Sequence, residues 1–494
     1  MKFQRGSVLV ALLWCLALLS VLVIGLLHVA RLDLLVVKNH GDLIQAHYLA
    51  LAGIEKAKAL LYEDAKGRRR SGVNHTGALY DSPESFRDIP FGRGQFRVMR
   101  QRPGEPERLM YGVNDEESRL NFNTASAEEL GRLEGIRPEI AAAILDWRDP
   151  DRTPLPGGAE TEYYSSLRPP YQPRNGPFQT TRELLMVAGV TRELLLGEDV
   201  NQNGLLDPAE DDGAESYPPD NRDGVLDAGW SGVLTLDSGV ANTSATGRDR
   251  VDLQSADEAT LTGVQGITPE LARAIIAYRG QNRFESLADL LEVTAVNPAN
   301  QPGPNPPGAP PGGSPGPRPA GPPGGPGPSN PARTAPSSGR SGSSPAPTSP
   351  PAGAPGRGGS QPGGPKLIDE RLLMEIADEV TTLSNDSIPG AININTAGPS
   401  VLVSLPGVTR ELAQAIISYR KSTGFFPNIA WLLKVDGMTR EIFKQIAPKI
   451  TTRSETFRIL SEGQVKSSGA RKRIEVIVRV GSRDVETLAY RENL

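Results

Sequence analysis

Cysteine is almost missing from this sequence. Cys15 is the only one in 494 residues, which excludes an intramolecular disulfide and leaves the compartment to be read from targeting signals. Histidine is nearly as scarce. His28, His40, His47 and His75 all fall in the N-terminal sixth, so no His-centred triad or zinc cluster can be assembled in the later segments. A basic excess is also absent: 53 Lys and Arg stand against 58 Asp and Glu, a net charge of -5, without the overall footprint of a nucleic-acid binder. Apolar residues make up only 38%, while there are 53 Gly and 44 Pro. The length allows roughly two to four domains, yet part of the chain cannot bury a core.

What is present begins with a long apolar run. From Gly6 to Ala30 there is no charged residue, and those 25 residues exceed the ~20 needed to cross a bilayer. Lys2 and Arg5 precede the run, which holds this end in the cytoplasm and sends the remainder outward, with Arg31 and Lys38 weakening the asymmetry. A secretory signal would stop at a small-residue cleavage site. Here the helical pattern continues through Leu34, Leu43, Leu49 and Leu60, as one long amphipathic extension.

Arg5-Gly6 directly before the apolar run resembles the leader of type IV pilin-like signal peptides. That resemblance implies cleavage by a prepilin peptidase between Gly6 and Ser7. Most such subunits carry Glu at mature position five, where this chain has Ala11. A carboxylate in hydrocarbon is costly unless paired, and the resemblance implies pairing with the terminal amine of a subunit already assembled. A first subunit has no such partner. Absence of the Glu is a trait of K-type pseudopilins of type II secretion systems.

The rest of the chain contains three internal repeats, Leu120 to Trp147, Val251 to Tyr278 and Ile392 to Tyr419. Each has an extended lead-in, a helix, a glycine turn at Gly135, Gly266 or Gly407, and a second helix. They resemble the helix-hairpin-helix motif. DNA-binding hairpins place a second glycine two residues further on, where backbone N–H groups approach a phosphate. Here those positions are Arg137, Thr268 and Thr409. Side chains obstruct that approach, so the hairpins read as structural and nucleic acid is not an expected partner, although Arg137, Arg273 and Arg410 could touch a phosphate.

Gln95 to Arg100 and Arg108 to Val113 are predicted strands, followed by Asp115-Glu116-Glu117, which we expect to serve as turn and capping chemistry and not as a catalytic dyad. This strand, acidic turn and Leu-Asn-Phe-Asn again resemble K-type pseudopilins. Residues 297–366 contain no Leu, Ile, Val, aromatic or acidic residue and are expected to be a disordered linker spanning roughly 45 Å, interposed between repeats two and three. At the C-terminus Thr456 to Leu460, Arg473 to Val480 and Glu486 to Arg491 are predicted strands, with Ile474, Val476, Val478 and Val480 on one face.

Between repeats one and two lies a run with metal-ligand spacing. Asp199, Asn201, Asn203, Asp207 and Glu210 occupy positions 1, 3, 5, 9 and 12 of an EF-hand-like loop, with Gly204 at the sharp turn. Leu205 would add its carbonyl, and the set suits Ca²⁺. A second segment with Asn221, Asp223 and Asp227 repeats positions 3, 5 and 9, but has Pro219 and Trp230 where positions 1 and 12 should be. Asp220 or Asp212 would have to complete it. K-type pseudopilins resemble this too, which implies structural calcium in their helical domain.

The expected fold class is α+β: a long N-terminal transmembrane helix and a pilin-like β-sheet interrupted by an inserted helical domain with helix-hairpin-helix repeats. The expected segments are a leader at 1–6, the helix at 7–64, strands at 88–119 and a helical domain at 120–296. The linker at 297–366, the third repeat with following helices at 367–455 and strands at 456–494 complete the series. No enzyme is expected. The resemblance implies a minor pseudopilin at the pseudopilus tip, supporting pseudopilus initiation and protein export across the outer membrane. Its implied setting is a single pass through the bacterial inner membrane with the bulk periplasmic. Implied partners are other minor pseudopilins, secretion-system inner-membrane proteins and the prepilin peptidase. The alternatives are a membrane-anchored DNA-uptake receptor, in which the hairpins grip duplex DNA, and an unprocessed anchored scaffold.

Overall fold

The computed structural model describes residues 5–73, 77–100, 109–215, 217–295 and 365–492. Among the described residues, 5–294 and 366–492 belong to one compact unit. Lys2, and all of the expected linker except Pro365 and Lys366, lie outside the described residues.

Helix α1 (Arg5–Ser71) is unbroken over 67 residues, about 100 Å at the helical rise. Its two parts meet different surroundings. Leu9, Trp14, Leu18, Ile24 and Val37 are exposed, whereas Ala46, Ala50, Ile54, Ala57, Leu61 and Ala65 are buried at steps of three and four residues, the spacing of one helix face. That face packs on an antiparallel sheet of β1 (Ile89–Phe91), β2 (Gly94–Met99), β3 (Asn114–Asp115), β4 (Thr456–Val465), β5 (Arg471–Val480) and β6 (Val485–Glu492). The order is β1-β2-β4-β5-β6, with β3 also on β4. Alternate residues of β5, Ile474, Val476, Val478 and Val480, join Ile54 and Leu61 in one core. Helix and sheet approach so closely that a side chain added at Gly463 would fall 2.1 Å from the Ala46 carbonyl oxygen.

Of the strand expected at 108–113, Arg108 lies outside the described residues and 109–113 is not a strand. Its backbone bonds go to the loop after α1 instead: Ser82 N–H donates to Tyr111 at 2.7 Å and Val113 N–H to Leu79 at 3.1 Å. Met110 alone bridges Arg100, and the strand follows at Asn114–Asp115. Asp115 and Phe457 are register partners, so the chain leaves the sheet and returns to it on adjacent strands. Residues 116–455 are therefore an insertion that leaves the sheet's register intact.

The insertion is built from three repeats, each containing two hairpins. Repeat one uses α2 (Ala127–Gly131), α3 (Pro138–Arg148), a 3₁₀ turn at Thr181–Met186 and α4 (Arg192–Leu196). Repeat two uses α5 (Glu258–Thr262), α6 (Pro269–Arg279), a 3₁₀ turn at Leu287–Glu292 and α7 (Glu370–Ile376). Repeat three uses α8 (Pro399–Ser404), α9 (Arg410–Thr423), a 3₁₀ turn at Ile429–Lys434 and α10 (Arg440–Ile446). A two-residue parallel strand pair closes each: Leu120–Asn121 with Leu234–Thr235, Val251–Asp252 with Val380–Thr381, and Ile392–Asn393 with Ile450–Thr451. Their apolar faces form one core.

This arrangement corrects two expectations. The segment from 367 to 381 completes repeat two and is not part of repeat three. The linker does not separate repeats two and three; it replaces the turn of the second hairpin of repeat two, where the other repeats have Gly189 and Gly437. Its flanks, Thr294 and Lys366, are bridged, so an insertion of any length can leave the hairpin in place.

Candidate functional site

The three predicted hairpin turns come first. Gly135, Gly266 and Gly407 have φ of +80°, +96° and +75°, a region that strongly favours glycine. A side chain at Gly266 would fall 3.1 Å from Leu372 of α7, and one at Gly407 3.2 Å from Ile442 of α10, so the second hairpin of each of these repeats covers the turn of the first. The residues two positions on are helix caps: Thr268 Oγ1 accepts the N–H of Leu271 at 3.2 Å and Thr409 Oγ1 that of Leu412 at 3.3 Å. Those N–H groups are the donors a phosphate would need. Arg137 makes no such cap.

Sequence reasoning missed the arginine clamps. Arg148, Arg279 and Arg420, one at or near the end of each second helix, turn back onto two carbonyls of their own repeat: Phe122 and Ala125, Leu253 and Ala256, Ile394 and Ala397. The identical offset from the lead-in strand was the available signal. These cations serve the fold.

Residues 199–210 close into a loop. Asp199 is 3% exposed and accepts the N–H groups of Asn203 and Gly204, both at 2.9 Å. Glu210 reaches back to the N–H of Asn201 at 3.4 Å and of Asp207 at 3.2 Å. Asn201 and Asn203 both donate to Asp207, at 3.1 and 2.8 Å, and the Leu205 N–H donates to Asn203 Oδ1 at 2.7 Å. All six predicted ligand residues are thus brought together. The Leu205 side chain fixes the loop on the sheet, against Met99 of β2 and Leu460 of β4. Arg491 of β6 donates to the Gln202 carbonyl at 2.6 Å.

The electrostatics of this loop suit a cation. Burial pushes Asp199 up to about 6. Burial, reinforced by the charge of Asp199, pushes Glu210 up to about 7. Neither makes an ion pair among the described residues, whereas Asp207 is bonded by Arg473 at 2.7 and 2.8 Å, which overcomes burial and holds it below the ordinary carboxylate value. Two buried carboxylates without a direct ion pair, beside amide and carbonyl oxygens, fit a hard divalent ion. Asp199, Asn201, Asn203, Leu205 and Glu210 would hold it, with Asp207 at the position that often acts through water.

The second acidic loop is closed by a residue the sequence reading did not consider. Glu198, 8% exposed, accepts the N–H of Asn221 at 3.4 Å and of Asp227 at 3.0 Å. Those are loop positions 3 and 9, the two that Glu210 serves in the first loop. Asn221 Oδ1 accepts from Asp223 N–H at 2.9 Å, also as in the first loop. Asp220 does not complete this set: it accepts N–H groups from Asp212, Gly213 and Arg222. Asp212 is likewise placed in that turn.

Asp115, Glu116 and Glu117 join the inserted domain to the sheet, each 3% exposed or less. Asp115 caps the turn by accepting the Glu117 N–H at 2.8 Å, as expected, and also accepts from Asn393 at 3.1 Å and Thr396 of repeat three. Glu116 bonds Arg458 of β4 at 2.8 Å and Thr235 of repeat one. Burial opposes its charge, but Arg458 and Arg119 override it and hold it at about 2. Glu117 accepts from Gly239 and Thr456, both at 3.1 Å, and burial together with the charge of Asp115 pushes it well above the carboxylate range. The acidic triplet works as a joint between domains. Gly6 and Ser7 lie in the first turn of α1.

Comparisons with known proteins divide along these parts. A family model of type II secretion system protein K matches residues 114–196, which contain the joint and repeat one up to α4. A helix-hairpin-helix model matches 247–300 and 390–451, in repeats two and three. Type II secretion system protein K of Klebsiella pneumoniae is 29% identical over 198 residues, 39% of this chain and 60% of the relative's length. An endonuclease/exonuclease/phosphatase family domain-containing protein 1 from Bos taurus is 28% identical over 188 residues, 38% of this chain but 27% of its own length. Among solved structures, the GspK-GspI-GspJ complex from the enterotoxigenic Escherichia coli type 2 secretion system covers 91% of this chain and 98% of the matched one. Identity there is 12% and the TM-score 0.39.

Proposed function

We propose, from the premise that the chain belongs to the type II secretion system protein K family, that it acts as a minor pseudopilin at the tip of the pseudopilus. The observation that carries this is the continuity of α1. One helix runs from an apolar segment, none of whose most hydrophobic window is buried, into the core of a pilin-like sheet. Among the described residues it is the one helix long and apolar enough to cross a membrane. The insertion of residues 116–455 leaves the sheet and re-enters it on adjacent strands, and its length is a bulk that repeated subunits of a filament could not all carry. Ala11, in place of the carboxylate that most pilin-like subunits pair with a preceding subunit, fits a subunit that begins the assembly.

On this reading the helix is cut between Gly6 and Ser7 by a prepilin peptidase and anchors the protein in the inner membrane, with the sheet and repeats in the periplasm. The role is structural, supporting pseudopilus initiation and protein export. The 199–210 loop takes calcium to order a long polar connection that has little core of its own. Its partners are other minor pseudopilins. The hairpins act as a scaffold, an assignment supported by the Thr268 and Thr409 caps and by the inward arginine clamps.

The test combines the full chain in detergent with candidate minor pseudopilins and, separately, with duplex DNA across a salt series. A stoichiometric complex that survives added salt supports the tip role. Tight DNA binding that weakens steeply with salt, without any subunit complex, would overturn it in favour of a DNA receptor. The mass of the mature N-terminus tests the cleavage site independently, and a Gly6→Leu variant should retain its leader.

A further inference from the structure

A third group of carboxylates lies outside the loops already described, in the connection from α3 to the 3₁₀ turn of repeat one. Asp149, Asp151 and Glu160 each place a carboxylate oxygen within 4.8 Å of the other two. Their spacing, first, third and twelfth, is that of Asp199, Asn201 and Glu210.

Exposed acidic clusters are common, and Glu160 is what distinguishes this one. It is 4% exposed. Its Oε2 accepts the Thr161 N–H at 3.0 Å, while its Oε1 is buried without a hydrogen-bond partner. A buried carboxylate oxygen left unsatisfied is unfavourable unless something else approaches it. Asp146 adds a fourth negative charge: it is fully buried, and its oxygens accept the Leu155 N–H at 3.1 and 3.3 Å.

None of the four is in an ion pair among the described residues. Two arginines of this region hydrogen-bond elsewhere, Arg148 with the carbonyls of Phe122 and Ala125 and Arg174 with Glu183. Converging oxygen donors, uncompensated negative charge and one orphaned buried acceptor are what a hard cation satisfies.

We propose that Asp149, Asp151 and Glu160 bind a divalent cation of the calcium type, with Glu160 Oε1 as the buried ligand, at a site separate from the 199–210 loop. The ion ties the connection after α3 to the helical core through Glu160, next to Tyr164, which is fully buried. This site does not depend on the pseudopilin reading.

The experiment is equilibrium dialysis of the full chain in detergent against calcium alone. The wild type is compared with Asp151→Asn, Glu160→Gln, Glu210→Ala and the Asp151→Asn/Glu210→Ala double variant. Asp151 is exposed, so its replacement leaves the fold intact. Asp151→Asn should weaken one class of site by at least about tenfold, the loss that even outer-shell substitutions produce. Glu210→Ala should weaken a different class, and the double variant both. Wild-type stoichiometry and affinity in both Asp151→Asn and Glu160→Gln would overturn the site. So would loss of all bound calcium in Glu210→Ala alone, because every ion would then belong to the 199–210 region.

Discussion

Repeats one and three are the same object built for different demands. Both run from a two-residue strand through two hairpins to a closing strand, with an arginine folded back onto the lead-in carbonyls. Repeat three accomplishes this between Ile392 and Thr451 with short turns. Repeat one extends from Leu120 to Thr235, because a long acidic connection follows α3 and another follows α4. The lesson is that the hairpin pair is held by apolar packing and backbone clamps, while the added connections are rich in buried carboxylates that need counter-charge. Stability of the scaffold should be indifferent to cations, and order in the connections should depend on them.

The largest effect expected is in the scaffold. Trp147, 2% exposed, and Phe426, 1% exposed, fill equivalent repeats. Each change to Ala should cost ~3–5 kcal/mol, measured by urea unfolding, to the same extent with calcium or chelator. A calcium-dependent difference for Phe426→Ala would break the comparison.

Next in size is the chelated 199–210 loop. The folded-state values of Asp199 and Glu210 are raised to about 6 and about 7, so without a cation the folded state holds protons that the unfolded state releases. Stability should therefore be full below pH ~4 and fall as pH rises to ~7, by up to ~3 kcal/mol for either group and less than the sum for both. Thermal melts in chelator at pH 5 and pH 8 check this, and calcium should abolish the difference. Glu210→Ala should remove the Glu210 share of the pH dependence, leave that of buried Asp199, and weaken the calcium effect.

The hairpin caps come third. Thr268→Ala and Thr409→Ala should each cost ~1 kcal/mol, and Arg137→Thr, which supplies the cap repeat one lacks, should recover a similar amount. The smallest effect belongs to Asp211→Ala. It sits just beyond Glu210, and its removal should stay within ~0.5 kcal/mol and leave calcium affinity unchanged.

Much of this was legible locally. The apolar run, the three glycine turns and the ligand spacing of 199–210 depend on residues a few positions apart, and the structure gathers each where expected. Further helices were expected after repeat three, but that every repeat carries a second hairpin was missed, because its 3₁₀ turns are short and carry no helical period. The segment 108–113 read as a strand from its alternation, yet its backbone partners lie in the 79–82 loop. The linker was expected from composition, but that it falls within the second hairpin of repeat two depended on Thr294 meeting Lys366.

By itself the sequence determined a membrane-length helix, a repeated hairpin unit and a loop with oxygen donors at cation spacing, because each follows from local steric and chemical rules. Only the tertiary structure decided that Glu198 would close the second acidic loop, that Arg458 would hold Glu116 low while burial and Asp115 push Glu117 up, and that Glu160 would be buried with an oxygen unsatisfied. Those outcomes follow from sheet register and from which surfaces exclude water. They join residues up to several hundred positions apart, and no local pattern encodes the pairing.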